Sequence, residues 1–221
     1  MKKFALLFAA AAITASAAFA ATAEPVYSQN AVGFINKAAP AGVIQSLTFP
    51  FVDMNSTNAG IVFKNTQLAI AAPNGSTVYF WDNTAWKSYT KNRTGFPTDY
   101  ALKPGECFFF EPAKDMTITM CGEVPDDATL AREISPAANI TAVGNPYPVP
   151  VSFKDSALAQ QASAGATVYF WDVTAWKAYT KNRTGFPTDY VVDPGEGFFF
   201  QTTSKDAEAT EWTVEKPYVF P

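Results

Sequence analysis

The side chains that could carry acid–base chemistry in this sequence are carboxylates in equivalent pairs, 90 residues apart. They are Asp82 and Asp172, Asp99 and Asp189, and Glu106 and Glu196. Two carboxylates at the right separation, one with a raised pKa, can hydrolyse a glycosidic bond. The chain has no histidine, which excludes a Ser-His-Asp or Cys-His site and a His-ligated metal.

Each of these carboxylates also has a structural explanation. Asp82 begins a turn, where aspartate caps backbone N–H groups. Asp99 follows Arg93 by six residues and would form an ion pair within a loop. Glu106 lies in a Pro-Gly turn, and the second member of each pair repeats these settings. With no nucleophile or metal motif, we expect a protein that is not an enzyme and that uses no metal or cofactor.

Aromatic residues are the better candidates for a site. They make up 15% of the chain. Along Val78-Tyr79-Phe80-Trp81, successive side chains point to opposite faces, so each face of the strand carries a ring. One face fills a core, and the other is either covered by the loop 91–97 or exposed. The candidate ligand-binding residues are Trp81, Trp86, Tyr89, Arg93, Trp171, Trp176, Tyr179 and Arg183.

These candidates occur twice because the chain contains an internal duplication. Residues 77–100 recur at 167–190 with 22 of 24 positions identical. The match continues outward at an offset of 90 residues, and upstream at an offset of 96 for Pro40/Pro136 and Pro50/Pro146. We therefore divide the chain into a first repeat, 24–125, and a second repeat, 126–221.

Within each repeat the pattern is typical of β structure. Short runs of β-branched and aromatic residues alternate with turn signals, which predicts about seven short strands and at most one short helix per repeat. The fold class is all-β, with two tandem homologous β-sandwich or small-barrel modules. We expect the helix within Ser152–Gln161, capped by Ser152.

Two kinds of turn are predicted. Asn83-Thr84 would close a two-residue hairpin, and Val173 in the second repeat argues against a type I′ turn because a β-branched residue resists positive φ. Pro104-Gly105 and Pro194-Gly195 fit the centre of a type II turn.

Both cysteines lie in the first repeat. If residues 113–115 form a hairpin loop, Cys107 faces Cys121, while Phe108 pairs with Met120 on an apolar face. We therefore predict a disulfide that is dispensable, since Gly197 replaces Cys107 in the second repeat. The alternative is two buried, inert thiols.

Residues 1–23 have the pattern of a secretory signal peptide. Lys2 and Lys3 precede an apolar, alanine-rich run and the A-x-A sequences at 18–20 and 21–23. We expect a secreted or cell-surface protein, with the periplasm as an alternative, and no transmembrane span in the mature chain. A net charge of −4 without a basic stretch argues against a nucleic-acid partner.

Several motifs carry a family resemblance: the stretch 26–34, Asn145-Pro146, Val168–Asp172, Pro194–Phe199 and Gly122–Pro125. With them, the chain resembles a set of two-repeat secreted proteins of unknown function from Verrucomicrobia- and Lentisphaerae-type bacteria. The resemblance covers nearly the whole mature chain and implies no particular chemistry. The first repeat departs from it at Thr48–Phe51 and at Cys107.

Two functions remain open from the sequence. The first is a non-enzymatic structural or cell-surface protein whose aromatic-rich modules contact the envelope, another protein or a second copy of the chain. The alternative is a carbohydrate-binding protein that holds an extracellular polysaccharide at one aromatic stacking site per repeat. Exposure of the tryptophan rings distinguishes the two, because sugar stacking requires an accessible ring face.

Overall fold

A computed structural model describes residues 31–52, 61–82, 84–206, 208 and 210–219. The proposed signal peptide lies outside these residues. The described residues form the predicted all-β protein with two similar halves. Each half contains one α-helix of five residues, α1 Gln67–Ala71 and α2 Ala157–Gln161, and the first adds a 3₁₀ turn at Phe63–Asn65.

The strands of the two repeats correspond one to one. In the first repeat they are β1 Val32–Ala39, β2 Gln45–Thr48, β3 Ile61–Val62, β4 Thr77–Trp81, β5 Trp86–Thr90, β6 Ala101–Leu102, β7 Cys107–Glu111 and β8 Met116–Glu123. In the second they are β9 Thr129–Ile134, β10 Ile140–Gly144, β11 Val151–Ser152, β12 Thr167–Trp171, β13 Trp176–Thr180, β14 Val191–Val192, β15 Gly197–Gln201 and β16 Thr210–Glu215.

Each repeat is built on a four-stranded antiparallel sheet. The orders are β2-β7-β4-β5 and β10-β15-β12-β13. Smaller two-stranded sheets accompany them: β1-β8 and β3-β6 in the first repeat, and β9-β16 and β11-β14 in the second. The central strands β7 and β15 are buried on both faces, which explains their Phe-Phe-Phe sequences.

Alternation along the strands separates a core face from a second face. Val78 and Phe80 of β4 point into the core of the first repeat, as do Phe108 and Phe110 of β7. Phe63 contacts this group edge-on, with its ring centroid 5.4 Å from that of Phe80. The second repeat has an equivalent core. Full burial of each phenylalanine side chain contributes about 1.5–3 kcal/mol.

The short helix of the second repeat begins about one turn later than predicted. Ser156, not Ser152, caps α2, and its hydroxyl accepts a hydrogen bond from the Ala159 N–H at 3.2 Å. Ser152 belongs to β11 instead. At the other end of α2, Lys181 donates to three main-chain carbonyls, those of residues 159, 160 and 162. An ammonium group at this position satisfies carbonyls that the helix leaves unpaired.

The hairpin loop is longer than predicted. Trp171 and Trp176 form the last pair of β12 and β13, so four residues lie between the strands. The side chain of Asp172 accepts hydrogen bonds from the Thr174 and Ala175 N–H groups at 3.2 and 2.8 Å. These bonds hold Val173 at φ 76°, so the expectation that Val173 avoids positive φ is wrong. The prediction for the Pro-Gly turns agrees with the structure, since Gly105 has φ 69°.

The predicted disulfide is wrong. Cys107 is buried, Cys121 is exposed, and both thiols are free. Strands β7 and β8 do not form the expected hairpin, because β7 pairs with β2 and β4 while β8 pairs with β1. Within the sheet, Cys107 of β7 is therefore paired with Thr48 of β2 rather than with Cys121. Burial raises the pKa of the Cys107 thiol to about 12, which leaves it almost fully protonated at neutral pH.

Candidate binding site

The second faces of the two large sheets meet each other. Tyr79 and Trp81 of β4, with Phe109 of β7, lie on this face in the first repeat, and the equivalent residues 169, 171 and 199 lie on it in the second. The loop 91–97 does not cover these rings, because its Phe96 is buried in the core on the opposite side. The face that the sequence left undecided is thus covered in part by the other repeat.

Reciprocal hydrogen bonds join the repeats across this face. The indole N–H of Trp81 donates to the Ile140 carbonyl at 3.1 Å, and that of Trp171 donates to the Ile44 carbonyl at 2.9 Å. Ile44 and Ile140 occupy equivalent positions at the 96-residue offset. The contact is therefore pseudo-symmetric, and each repeat presents the same donor and the same acceptor.

The main chain repeats this symmetry. The Thr48 N–H donates to the Gly195 carbonyl at 3.1 Å, and the Gly144 N–H donates to the Gly105 carbonyl at 2.9 Å. The two bonds are equivalent to each other, because Thr48 corresponds to Gly144 and Gly105 corresponds to Gly195.

Close to the pseudo-symmetry axis, a larger residue faces glycine. A Cβ atom added at Gly197 would lie 2.3 Å from the Cys107 sulfur, and one added at Gly144 would lie 2.5 Å from the Thr48 Cβ. Cys107 and Gly197 are equivalent positions, as are Thr48 and Gly144. The first repeat supplies the larger side chain in both pairs, so the two surfaces are complementary rather than identical.

Four aromatic rings form the centre of the face. Phe109 and Phe199 stack with their centroids 6.0 Å apart. Trp86 contacts both, at 5.1 and 5.7 Å, and Trp176 contacts both, at 5.6 and 5.1 Å. The two indoles remain accessible, with 42% of Trp86 and 40% of Trp176 exposed.

Two depressions of nearly equal size open on this aromatic face. The first encloses about 320 Å³ and is lined by Ile44, Tyr79, Trp86, Phe109, Trp171 and Trp176. The second encloses about 300 Å³ and is lined by Trp81, Trp86, Ile140, Tyr169, Trp176 and Phe199. Trp86 and Trp176 line both. Volumes of this order suit a small ligand or a single bulky side chain.

The polar groups at the edges of the two depressions differ. The Tyr79 hydroxyl donates to the Glu111 carboxylate at 2.8 Å, whereas the Tyr169 hydroxyl donates to the neutral Gln201 amide oxygen at 2.7 Å. Burial, together with the hydrogen bond to Glu111, raises the pKa of Tyr79. The tyrosine of the first depression is therefore backed by a carboxylate, and the tyrosine of the second by a neutral amide.

The structure brings together half of the predicted site residues. Trp81, Trp86, Trp171 and Trp176 line the aromatic face jointly. Tyr89 instead packs on the core residue Phe80 and Tyr179 on Phe170, with centroid distances of 6.0 and 6.3 Å. Arg93 and Arg183 are exposed in the loops that follow β5 and β13. The four tryptophans thus lie on one shared face rather than on a separate face of each repeat.

Sequence reasoning did not identify Phe109 and Phe199 as part of this site. Each is the middle member of a phenylalanine triplet whose outer members lie in a core. Alternation along a strand places such a middle residue on the opposite face. The Phe-Phe-Phe sequence alone could therefore have predicted that Phe109 and Phe199 lie on the aromatic face.

The aspartates of the hairpin loops have structural roles. Lys87 Nζ lies 2.9 Å from Asp82 Oδ2, and Lys177 Nζ lies 2.9 Å from Asp172 Oδ2. Hydrogen bonds from the Thr84 hydroxyl and from Lys87 lower the pKa of Asp82. The hydrogen bond from Lys177 makes the largest contribution to lowering the pKa of Asp172. Both groups are therefore ionised at neutral pH and are not suited to act as general acids.

The remaining carboxylates are also engaged. Asp99 pairs with Lys64 at 3.2 Å rather than with Arg93 as the sequence suggested, and Asp189 accepts a hydrogen bond from Ser152. Glu106 accepts from the Lys103 N–H at 3.0 Å and from the Tyr100 hydroxyl. Within the described ranges, no group of three or more Cys, Asp or Glu side chains could hold a metal ion.

Comparison with protein-family models, with curated proteins and with solved structures gives no match to this chain. The resemblance to two-repeat secreted proteins therefore stays a prediction. Among the residues that the structure describes, no helix has the length and apolar character needed to cross a membrane.

Proposed function

We propose that the protein is a non-enzymatic, exported binding protein that contacts its partner at the cell surface through the aromatic face shared by both repeats. The observation that supports this most strongly is the accessibility of Trp86 and Trp176, at 42% and 40%, in the middle of a face that neither repeat forms alone. Accessible tryptophans surrounded by other rings are typical of residues that dominate a binding interface. The engagement of the carboxylates in turns and ion pairs also favours binding over catalysis.

The test compares two sets of exposed aromatic residues. Trp86→Ala/Trp176→Ala removes both accessible indoles, whereas Phe34→Ala removes a 71% exposed ring of β1 outside the aromatic face. We expect the tryptophan variant to lose at least about tenfold in affinity for the envelope fraction of the producing cell, measured by co-sedimentation, because truncated hot-spot residues cost 2 kcal/mol or more.

The control variant should bind as the unchanged protein does. Far-ultraviolet circular dichroism and urea unfolding establish that each variant is folded, and Trp86→Leu/Trp176→Leu serves as a milder pair if the alanine variant unfolds. Equal binding by the folded tryptophan variants and the unchanged protein would contradict the proposal.

A second candidate function is binding of an extracellular polysaccharide. It is favoured by the two depressions, whose walls include indole rings on which a sugar could stack. The expected geometry changes from one site per repeat to two adjacent subsites on one face. A glycan array with tryptophan fluorescence tests it, and loss of the signal in Trp86→Ala/Trp176→Ala is the expected result.

A further inference from the structure

Both depressions have walls of aromatic rings. In the first, five of the six lining residues are aromatic, and Ile44 is the sixth. In the second, the count is again five of six, with Ile140 as the sixth. The face of an aromatic ring carries negative electrostatic potential, so rings on several sides of a small volume attract a cation that is weakly hydrated.

The surrounding charges add to this preference. No Lys or Arg lines either depression in the described part of the chain. Lys87 and Lys177 directly follow the accessible tryptophans, but alternation directs them to the opposite face of the strand, where they pair with Asp82 and Asp172. Glu111 stands behind Tyr79 of the first depression, and the chain as a whole carries a net charge of −4.

We propose that the aromatic depressions bind a small organic ammonium ion such as choline, which carries a trimethylammonium group. The proposal rests on the proposed binding function of the same face and names the chemistry that this face recognises. A trimethylammonium group needs no hydrogen-bond partner, only ring faces and a compensating negative charge.

The alternative sugar ligand fits the same walls less well. A hexose needs polar groups placed to pair its hydroxyls. The indole N–H of Trp171 is already bonded to the Ile44 carbonyl, and the Tyr79 hydroxyl to Glu111. These two polar groups of the first depression are already paired, so a sugar would find fewer hydrogen-bond partners there, whereas a trimethylammonium ion needs none.

The two depressions should differ in strength. Glu111 provides a full negative charge beside the first, and Gln201 provides only a dipole at the equivalent position beside the second. An ammonium ion should therefore occupy the first depression more tightly. Trp86 and Trp176 line both, so a change in either residue should weaken both subsites.

The experiment compares choline with 3,3-dimethyl-1-butanol, which has the same shape and no charge. Binding to the full chain is followed by isothermal titration calorimetry and tryptophan fluorescence. We expect choline to bind at least about tenfold more tightly, as for a partly desolvated cation–π site. Trp86→Leu, which keeps an apolar side chain but removes the ring, should weaken choline binding at both subsites.

Reciprocal variants test the role of Glu111. Glu111→Gln should weaken the tighter subsite until the two are similar, and Gln201→Glu should strengthen the weaker one. In both variants the tyrosine hydroxyl keeps an acceptor, so a change in affinity reports the charge.

Equal affinity for choline and its neutral analogue, or no binding of choline at millimolar concentrations, would overturn the inference. If envelope binding still depends on Trp86 and Trp176 in that case, the proposed function stands without it. If choline binds but the tryptophan variants keep their envelope binding, the proposed function fails instead.

Discussion

The two repeats have nearly the same sequence in one region and differ in side-chain size in another. In the hairpin segments 77–100 and 167–190, 22 of 24 positions agree, and the tryptophans make equivalent contacts. At the pseudo-symmetry axis, Thr48 faces Gly144 and Cys107 faces Gly197, because two side chains do not fit there. Where the two main chains approach this closely, one of two equivalent positions must be glycine. Phe109 and Phe199 are also equivalent and also contact each other, but their rings stack 6.0 Å apart and can stay identical.

The largest loss of unfolding free energy should follow when Gly197, which lies against Cys107, is replaced by a larger residue. Gly197→Ala places a Cβ atom 2.3 Å from the Cys107 sulfur, and overpacking of a rigid contact costs about 3 kcal/mol of unfolding free energy. Adding Cys107→Gly should recover at least half of this loss, measured by urea denaturation as a double-mutant cycle. Additive losses in the double variant would show that the two positions do not constrain each other.

The glutamates of the Pro-Gly turns provide the next test. Glu106 lies 3.9 Å from Arg132 and is 3% exposed, so Glu106→Gln should lower the unfolding free energy by about 2 kcal/mol at neutral pH, as for charged hydrogen bonds. Glu196→Gln should cost less, because burial raises the pKa of Glu196 and so disfavours its ionised form in the folded protein.

The sign of the pH effect follows from this raised pKa. The folded protein holds the Glu196 proton more tightly than the unfolded chain, so the stability contributed by this group is complete below the unfolded pKa. It is lost as the pH rises through the folded pKa. Glu196→Gln should therefore make the unfolding free energy less dependent on pH above the ordinary glutamate pKa of about 4.3. An unchanged pH profile in urea denaturation would contradict this.

The lysines at the ends of the helices should give a smaller difference in unfolding free energy between the two repeats. Lys181 donates to three carbonyls, and Lys91 donates to two, those of Ala69 and Ile70. Lys181→Met should cost about 2 kcal/mol and Lys91→Met somewhat less. Lys205→Met, at an exposed position, is the control and should leave the denaturation midpoint unchanged. Equal losses at all three positions would exclude a specific role for the helix ends.

The smallest effect, and the only gain in stability, is expected at Val173. A β-branched residue at φ 76° is strained, and the first repeat has Asn83 at the equivalent position. Val173→Asn should raise the unfolding free energy by about 1 kcal/mol, since asparagine tolerates the left-handed region. A lower denaturation midpoint in this variant would mean that the exposed Val173 side chain makes a contact worth more than the strain.

Local sequence signals predicted the elements of this fold well. The Pro-Gly turns, the aspartates that cap the hairpin loops and the aromatic strands depend on backbone preferences and on alternation, which a few neighbouring residues determine. The prediction for Val173 failed because three hydrogen bonds to the neighbouring Asp172 carboxylate outweigh the preference of a single residue.

Pairing between distant strands was the part that local signals could not supply. Cys107 and Cys121 suggested a hairpin because the intervening segment has a suitable length, but β8 pairs with β1, about 80 residues earlier in the chain. The aromatic face shared by the two repeats depends on the same kind of information. Alternation showed that a second aromatic face exists, but the partner of that face is the other repeat, which no short window of sequence reveals.

The short connection between the repeats has a consequence for the aromatic face. Only residues 124–128 separate the end of β8 from the start of β9. A connection of this kind makes association of the repeats intramolecular, with an effective concentration on the order of millimolar. Two separate modules would dissociate on dilution and lose the face that both must build. In the tandem chain, each molecule carries a complete set of four tryptophans however dilute the protein becomes.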